Sequence, residues 1–232
     1  MAAGEREVSR YVYLHGFASS PLSKKAQFFR ERFAELGIGL EIPDLAEGNF
    51  EGLTITGQLG VIERTARGEP VSLIGSSMGG YLAALFAAQH PEVEKLVLMA
   101  PAFSFPTRWP ETLGEAAMDE WKRTGVLKIF HYGEGREAEL GYQLMEDAQR
   151  YPAYPPFAQP AVIFHGKNDT VVPPEYSVTF AQVHRNATLY LMESGHELVD
   201  VMDEMWMGAE GFLFGGRGGS AEGVNVDSGS NR

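Results

Sequence analysis

Short apolar runs alternate with longer helical patterns along most of this chain, and that alternation limits its possible folds more than any other feature. Residues 11–14 (YVYL) are aromatic or aliphatic and end at His15-Gly16, which reads as a buried strand. The next stretch sets Ala26, Phe29, Phe33 and Leu36 at helical spacing, with Gly37 as a stop. A second strand is expected at 38–42, before Pro43-Asp44, and a helix at 55–67, closed by Gly68 and Pro70. There follow a strand at 71–74, a helix at 78–89 and a strand at 95–99; later come a strand at 161–164, a helix at 174–183, a strand at 188–192 and a last helix from near 197. Such succession predicts parallel βαβ units: an α/β fold, its sheet mostly parallel, with helices on both faces.

The alternation breaks from Phe103 to about Pro160, where Trp, Tyr, Phe and Pro crowd together, as in YPAYPPF at 151–157. This segment is too short to build much core of its own, so it is expected to be a small cap inserted over the sheet rather than a second domain. Residues 1–214 then form one domain, and 215–232, rich in Gly and Ser, are expected to be disordered.

Charge and composition narrow the chemistry. The 19 Lys and Arg against 31 Asp and Glu give a net charge of −12, which argues against nucleic acid and anionic membrane surfaces as partners. No cysteine occurs, so a thiol nucleophile, a thiolate metal site and a disulfide framework are all excluded. The first residues, MAAGEREVSR, lack the apolar stretch of a secretory signal, and no apolar run approaches a membrane span; a cytoplasmic protein is expected. Catalysis, if any, falls to hydroxyls, imidazoles and carboxylates.

VSLIGSSMGGYLAALFAA, at 71–88, offers two serines among glycines between an apolar strand and an apolar helix. The spacing G-x-S-x-G fits Gly75, Ser77 and Gly79, whereas centring it on Ser76 would need glycine where Ile74 stands. A sharp strand-to-helix turn holds such a serine in a strained conformation with its Oγ raised, and the helix starting at Met78 points N–H groups toward any oxyanion nearby. The turn could equally be a packing joint with Ser77 as a helix cap.

A serine nucleophile needs an imidazole to take its proton. Of six histidines, His15 and His165 end strands in His-Gly pairs and read as loop architecture; His90, His131 and His184 lie elsewhere. His196, in ESGHELVD, falls between the last strand and the last helix, where its ring can reach over the sheet edge. The imidazole in turn needs a carboxylate. Asp169, in HGKNDTVVP, follows the strand before the histidine's own, which Asp44, Glu193 and Glu197 do not. The order Ser77, Asp169, His196 puts all three at the carboxyl ends of predicted strands.

With these residues in place, the chain resembles the α/β-hydrolase superfamily from Tyr11 to about Phe214: YVYLHGF, LIGSSMGGYLA, FHGKNDTVVP and SGH carry the likeness. HGFASSPLSKKA followed by GSSMGGYLA looks most like the small bacterial esterases of the YqiA type. The resemblance implies a sheet of about six strands, lacking two that often precede the first. It also implies an oxyanion hole from the backbone N–H groups of Phe17 and Met78. The implied activity is a serine carboxylesterase working through an acyl-enzyme on short- to medium-chain esters, with no metal or organic cofactor. An acyl thioesterase or protein depalmitoylase would use the same residues, and a non-catalytic binding protein could keep the fold. The aromatic cap, with Phe103, Phe105 and Trp109 foremost, is expected to line an apolar substrate pocket or to hold the cap to the sheet.

Overall fold

A computed structural model describes residues 10–215 of the chain. Five strands form its main sheet: β1 (Arg10–Leu14), β2 (Val71–Ser76), β3 (Val93–Met99), β6 (Ala161–Gly166) and β7 (Ala187–Met192), all parallel and in that spatial order. Between them run α1 (Lys24–Glu35), α2 (Ile55–Ala66), α3 (Met78–Ala87) and α7 (Glu175–Val183), and α8 (Met202–Phe214) closes the described chain.

The sheet is buried on both sides, so its strands lack a polar face and instead alternate between two apolar cores. Val12, Leu14, Leu73, Leu96, Leu98 and Ile163 point into one core, shared with α2 and α3. Their neighbours Tyr13, Ile74, Val97, Met99, Val162 and Phe164 point into the other, covered by Phe29 and Phe33 of α1 and Trp206 of α8. Parallel register then fixes where the strands stop. Leu14 pairs with Gly75, Ser76 with Met99, Met99 with Phe164, and Gly166 with Met192, so the loops that follow β1, β2, β6 and β7 all emerge at one edge.

Two expectations need correction. The sixth strand, at 38–42, reduces to a single parallel bridge between Glu41 and Val12, with hydrogen bonds from Tyr13 N to Glu41 O and from Glu41 N to Tyr11 O. Gly39 weakens pairing on one side and Pro43, which lacks an N–H, ends it on the other. The last helix begins at Met202 rather than near 197, because Leu198 takes a positive φ of 54° and the Ser194 hydroxyl bonds Asp200 across the intervening turn.

The segment between β3 and β6 contains α4 (Phe105–Leu113), α5 (Glu115–Thr124), an antiparallel pair β4 (Val126–His131) and β5 (Arg136–Gly141), and α6 (Gln143–Ala148). Trp121 anchors it, 1% exposed, with Nε1–H donating to Leu140 O at 2.9 Å and its ring edge-on to Trp109 and Tyr142. Asp147 of α6 accepts from Thr56 N and Thr56 Oγ1, both at 2.7 Å, joining the segment to the start of α2. No helix among the described residues is long and apolar enough to cross a membrane. Apart from Gly215, the tail expected to be disordered lies outside the described residues.

Candidate active site

Ser77 stands between β2 and α3 with φ 52° and ψ −115°, a left-handed conformation that costs a residue with a Cβ about 1–3 kcal/mol. Its surroundings hold it there. Ser77 N donates to Met99 O at 2.8 Å, and Ser77 O accepts from Gly80 N, Tyr81 N and Ala102 N. The two flanking glycines are required by contact rather than by torsion. A Cβ on Gly79 would lie 2.1 Å from Leu14 O at the end of β1, and one on Gly75 would lie 2.4 Å from Gly79 O. The turn can therefore be this tight only with glycine at both places.

His196, in the loop after β7, bridges the serine and the acid. Its Nδ1 lies 2.7 Å from Asp169 Oδ2, and its Nε2 lies 3.1 Å from Ser77 Oγ. An ionised carboxylate can only accept, so Nδ1–H is the donor and the Nε2 lone pair is left to accept from the Ser77 hydroxyl. The ring is thereby set in the tautomer that can take the serine proton.

Asp169, in the loop after β6, is sealed from solvent and accepts four hydrogen bonds. Oδ1 takes those of Val171 N at 2.9 Å and Val172 N at 2.8 Å; Oδ2 takes that of His196 and one from His165 Nε2 at 3.1 Å. Burial alone would raise its pKa, but the bonds from His165, His196 and Val172 N outweigh it and hold the carboxyl well below the usual range. Asn168 N donates to Ser194 O at 3.0 Å, tying this loop to the one that carries His196.

Phe17 and Met78 lie near Ser77. Met78 is the first residue of α3, and a Cβ built on Gly16, next to Phe17, would lie 3.5 Å from Ser77 Cβ. Among the described residues neither Phe17 N–H nor Met78 N–H has a hydrogen-bond acceptor. Two unspent donors thus lie near the serine where α3 directs the positive end of its dipole.

Of the aromatic residues proposed for a pocket, Phe103 and Phe105 are buried in the core and Trp109 keeps part of its surface open. Trp109 packs edge-on against Phe17 at 5.1 Å and tilts against Phe105 at 5.1 Å, which brings α4 beside the oxyanion-side loop. Phe103 is fully buried and stacked on Phe180 of α7 at 4.5 Å, so it offers a substrate no surface and belongs to the core.

His165, which ends β6 in a His-Gly pair, is more than loop architecture. Nε2–H is shared between Val172 O at 2.8 Å and Asp169, leaving Nδ1 to accept from Ser177 Oγ at 2.7 Å. It bonds the same Asp169 oxygen, Oδ2, as His196 does. The signal available was its place four residues before Asp169 across a tight turn. Lys25 of α1 also lies within electrostatic reach: burial lowers its pKa, opposed by the charges of Glu197 and Asp169. Among the described residues no three His, Asp or Glu side chains converge on a metal position.

The model of the uncharacterised protein family UPF0227 matches residues 10–210. This chain belongs to that family. None of the curated proteins matches the sequence. The UPF0227 chain is similar in structure to alpha/beta hydrolase domain-containing protein 10 from mouse, with 19% identity over 90% of each chain and a TM-score of 0.76. It is also similar to a monoacylglycerol lipase from Paleococcus ferrophilus, 17% identical over 88% of this chain and 93% of that one, with a TM-score of 0.70. Est1E from Butyrivibrio proteoclasticus aligns at 19% identity over 91% and 89% with a TM-score of 0.68. These likenesses establish the α/β-hydrolase fold.

Proposed function

We propose that this UPF0227 chain is a serine carboxylesterase acting on short- to medium-chain esters, with Ser77 as nucleophile, His196 as general base and acid, and Asp169 as the carboxylate that orients it. The observation that carries this reading is the unbroken hydrogen-bond chain from Ser77 Oγ through His196 to Asp169, with the serine in a strained turn at a helix N-terminus. One neighbour in fold is named a monoacylglycerol lipase, which agrees with ester chemistry.

In the acylation step His196 Nε2 takes the Ser77 proton as Oγ bonds to the ester carbonyl carbon, and the carbonyl oxygen becomes an oxyanion. Phe17 N–H and Met78 N–H donate to that oxyanion, each contributing on the order of a hundredfold in rate. The intermediate collapses by breaking the bond to the alcohol oxygen, which receives the proton from His196. Water then gives a proton to His196, attacks the acyl carbon, and displaces Ser77 Oγ, which recovers its proton from the same ring. Aromatic surface from the half-buried Phe17 and Trp109 supplies the apolar side of the acyl site, with Phe105 packed behind Trp109.

The test is hydrolysis of p-nitrophenyl butyrate by the wild type and by Ser77→Ala. A loss of about a thousandfold or more with an unchanged melting temperature is expected. Ser77→Ala turnover within tenfold of wild type would overturn the assignment.

A further inference from the structure

Arg108, on α4, is only 8% exposed, yet it has no acidic partner within ion-pair distance among the described residues. Its Nη1 donates to Val171 O at 2.7 Å, which places the guanidinium against the loop that carries Asp169. The rest of the fork is unspent. Nε is buried without a partner, and Nη2 makes no hydrogen bond among the described residues. Asp169 cannot serve as its counter-ion by contact, since both carboxylate oxygens are filled by His165, His196, Val171 and Val172. Burial lowers the Arg108 pKa, against the pull of Tyr176 and Asp169, and still leaves arginine a cation.

A buried guanidinium without a counter-ion is costly, and an apolar side chain would fill the same space more cheaply. Its position suggests why it is kept. One residue along α4, Trp109 leans on Phe17 at the oxyanion side of Ser77, while Arg108 reaches the acid loop on the other side. Helix α4 thus contacts both the loop after β1 and the loop that carries Asp169. The acid-loop side is also where His196 is held, and His196 must deliver its proton to the leaving alcohol. The alcohol half of a bound ester therefore lies on the Arg108 side. The Nε–Nη2 edge, unpaired and with Nε sealed from solvent, matches the two oxygens of a carboxylate in plane, a geometry that lysine cannot offer. On a chain of net charge −12, a cation at this point is a local attractor for an anion.

We infer that Arg108 is a specificity residue whose Nε–Nη2 edge binds a carboxylate on the alcohol half of the ester substrate. This inference rests on the serine esterase reading of the site. It calls for substrates that are esters of hydroxy acids, cleaved to a carboxylic acid and a hydroxy-carboxylate.

The experiment compares kcat/KM for 3- and 4-acetoxybenzoate with that for phenyl acetate, whose leaving group lacks the carboxylate, in wild type, Arg108→Met and Arg108→Lys. Fluorophosphonate labelling of Ser77 and thermal melting are run on each protein. The wild type should prefer at least one anionic ester by about tenfold or more, the scale of a charge-assisted fork. That ratio should fall to about one in Arg108→Met and stay intermediate in Arg108→Lys, with labelling and folding retained. A wild type that turns over phenyl acetate with no preference for the anionic esters overturns the inference and leaves the esterase reading standing. So does a ratio that survives in Arg108→Met while both rates fall together, the mark of a residue that only positions the acid loop. Failure of all three esters together with failure of Ser77 to label overturns both. If Arg108→Met does not fold, the wild-type preference and Arg108→Lys decide.

Discussion

Asp169 carries two histidine–serine arms that are alike in chemistry and opposite in setting: His196 leads to Ser77, and His165 leads to Ser177. The His165–Ser177 contact, at 2.7 Å, is tighter than the His196–Ser77 contact at 3.1 Å. Hydrogen bonding alone would favour the wrong serine as nucleophile. Yet Ser177 lies within α7 and is fully buried, whereas Ser77 stands in a strained turn ahead of its helix. His196 keeps 13% of its side-chain surface open, whereas His165 has none. Access and the backbone frame, rather than the pair of groups, distinguish a reacting arm from a supporting one.

The contrast can be broken most severely at the two serines. Ser77→Ala should lower ester hydrolysis by about a thousandfold or more, while Ser177→Ala should stay within tenfold of wild type in the same assay. Comparable losses in both variants would remove the distinction. Asp169→Asn comes next, with an expected fall in kcat on the order of a thousandfold. An amide can present only one acceptor oxygen, so at least one of the rings and backbone N–H groups now satisfied would face an N–H group. Near-normal kcat in that variant would show that the hub does not set the tautomer.

His165→Gln probes the supporting arm itself. It should cost about 1–3 kcal/mol of stability by leaving Ser177 and Val172 short of a partner, and about tenfold in kcat, with fluorophosphonate labelling of Ser77 preserved. Chemical denaturation and steady-state kinetics on one preparation check both. An unchanged stability would mean that the sealed arm is not holding the acid.

Acid should strain the sealed groups in two windows. The pKa of His15, whose Nε2 accepts from Leu45 N, is lowered chiefly by burial. The unfolded chain takes up that proton near pH 6.5 while the folded one resists, so stability should fall as pH drops below about 6.5 toward the folded value. Asp169 is depressed as well, and its contribution is present above an unfolded pKa of about 3.9 and lost as pH falls further. Melting temperatures from pH 8 to pH 3 should show both declines, and His15→Gln should remove the first.

Local rules explain why one half of this site could be read in the sequence. Ser77 is marked by Gly75 and Gly79, each of which excludes any side chain by backbone contact. Asp169 and His196 are marked by their place after successive strands. His165 carries no such mark, because what gives it a role is the reach of Ser177 from α7 and the Val172 carbonyl, both set by tertiary packing. Arg108 is hidden in the same way within the segment that broke the alternation. There, Pro106 and Pro110 mask the helical period of α4, and β4 and β5 lie partly in solvent, so neither element has the apolar signature of the main sheet. The 38–42 run shows the opposite failure: it does lie along β1, but Gly39 and Pro43 allow only one bridge.

Fluorophosphonate labelling followed by peptide mapping tests the central assignment most directly, because the probe reports which serine is nucleophilic without a choice of substrate. The account predicts a single modified residue, Ser77, in wild type and in Ser177→Ala, and no modification in Ser77→Ala. Labelling at any other serine, or none in the folded wild type, would contradict it.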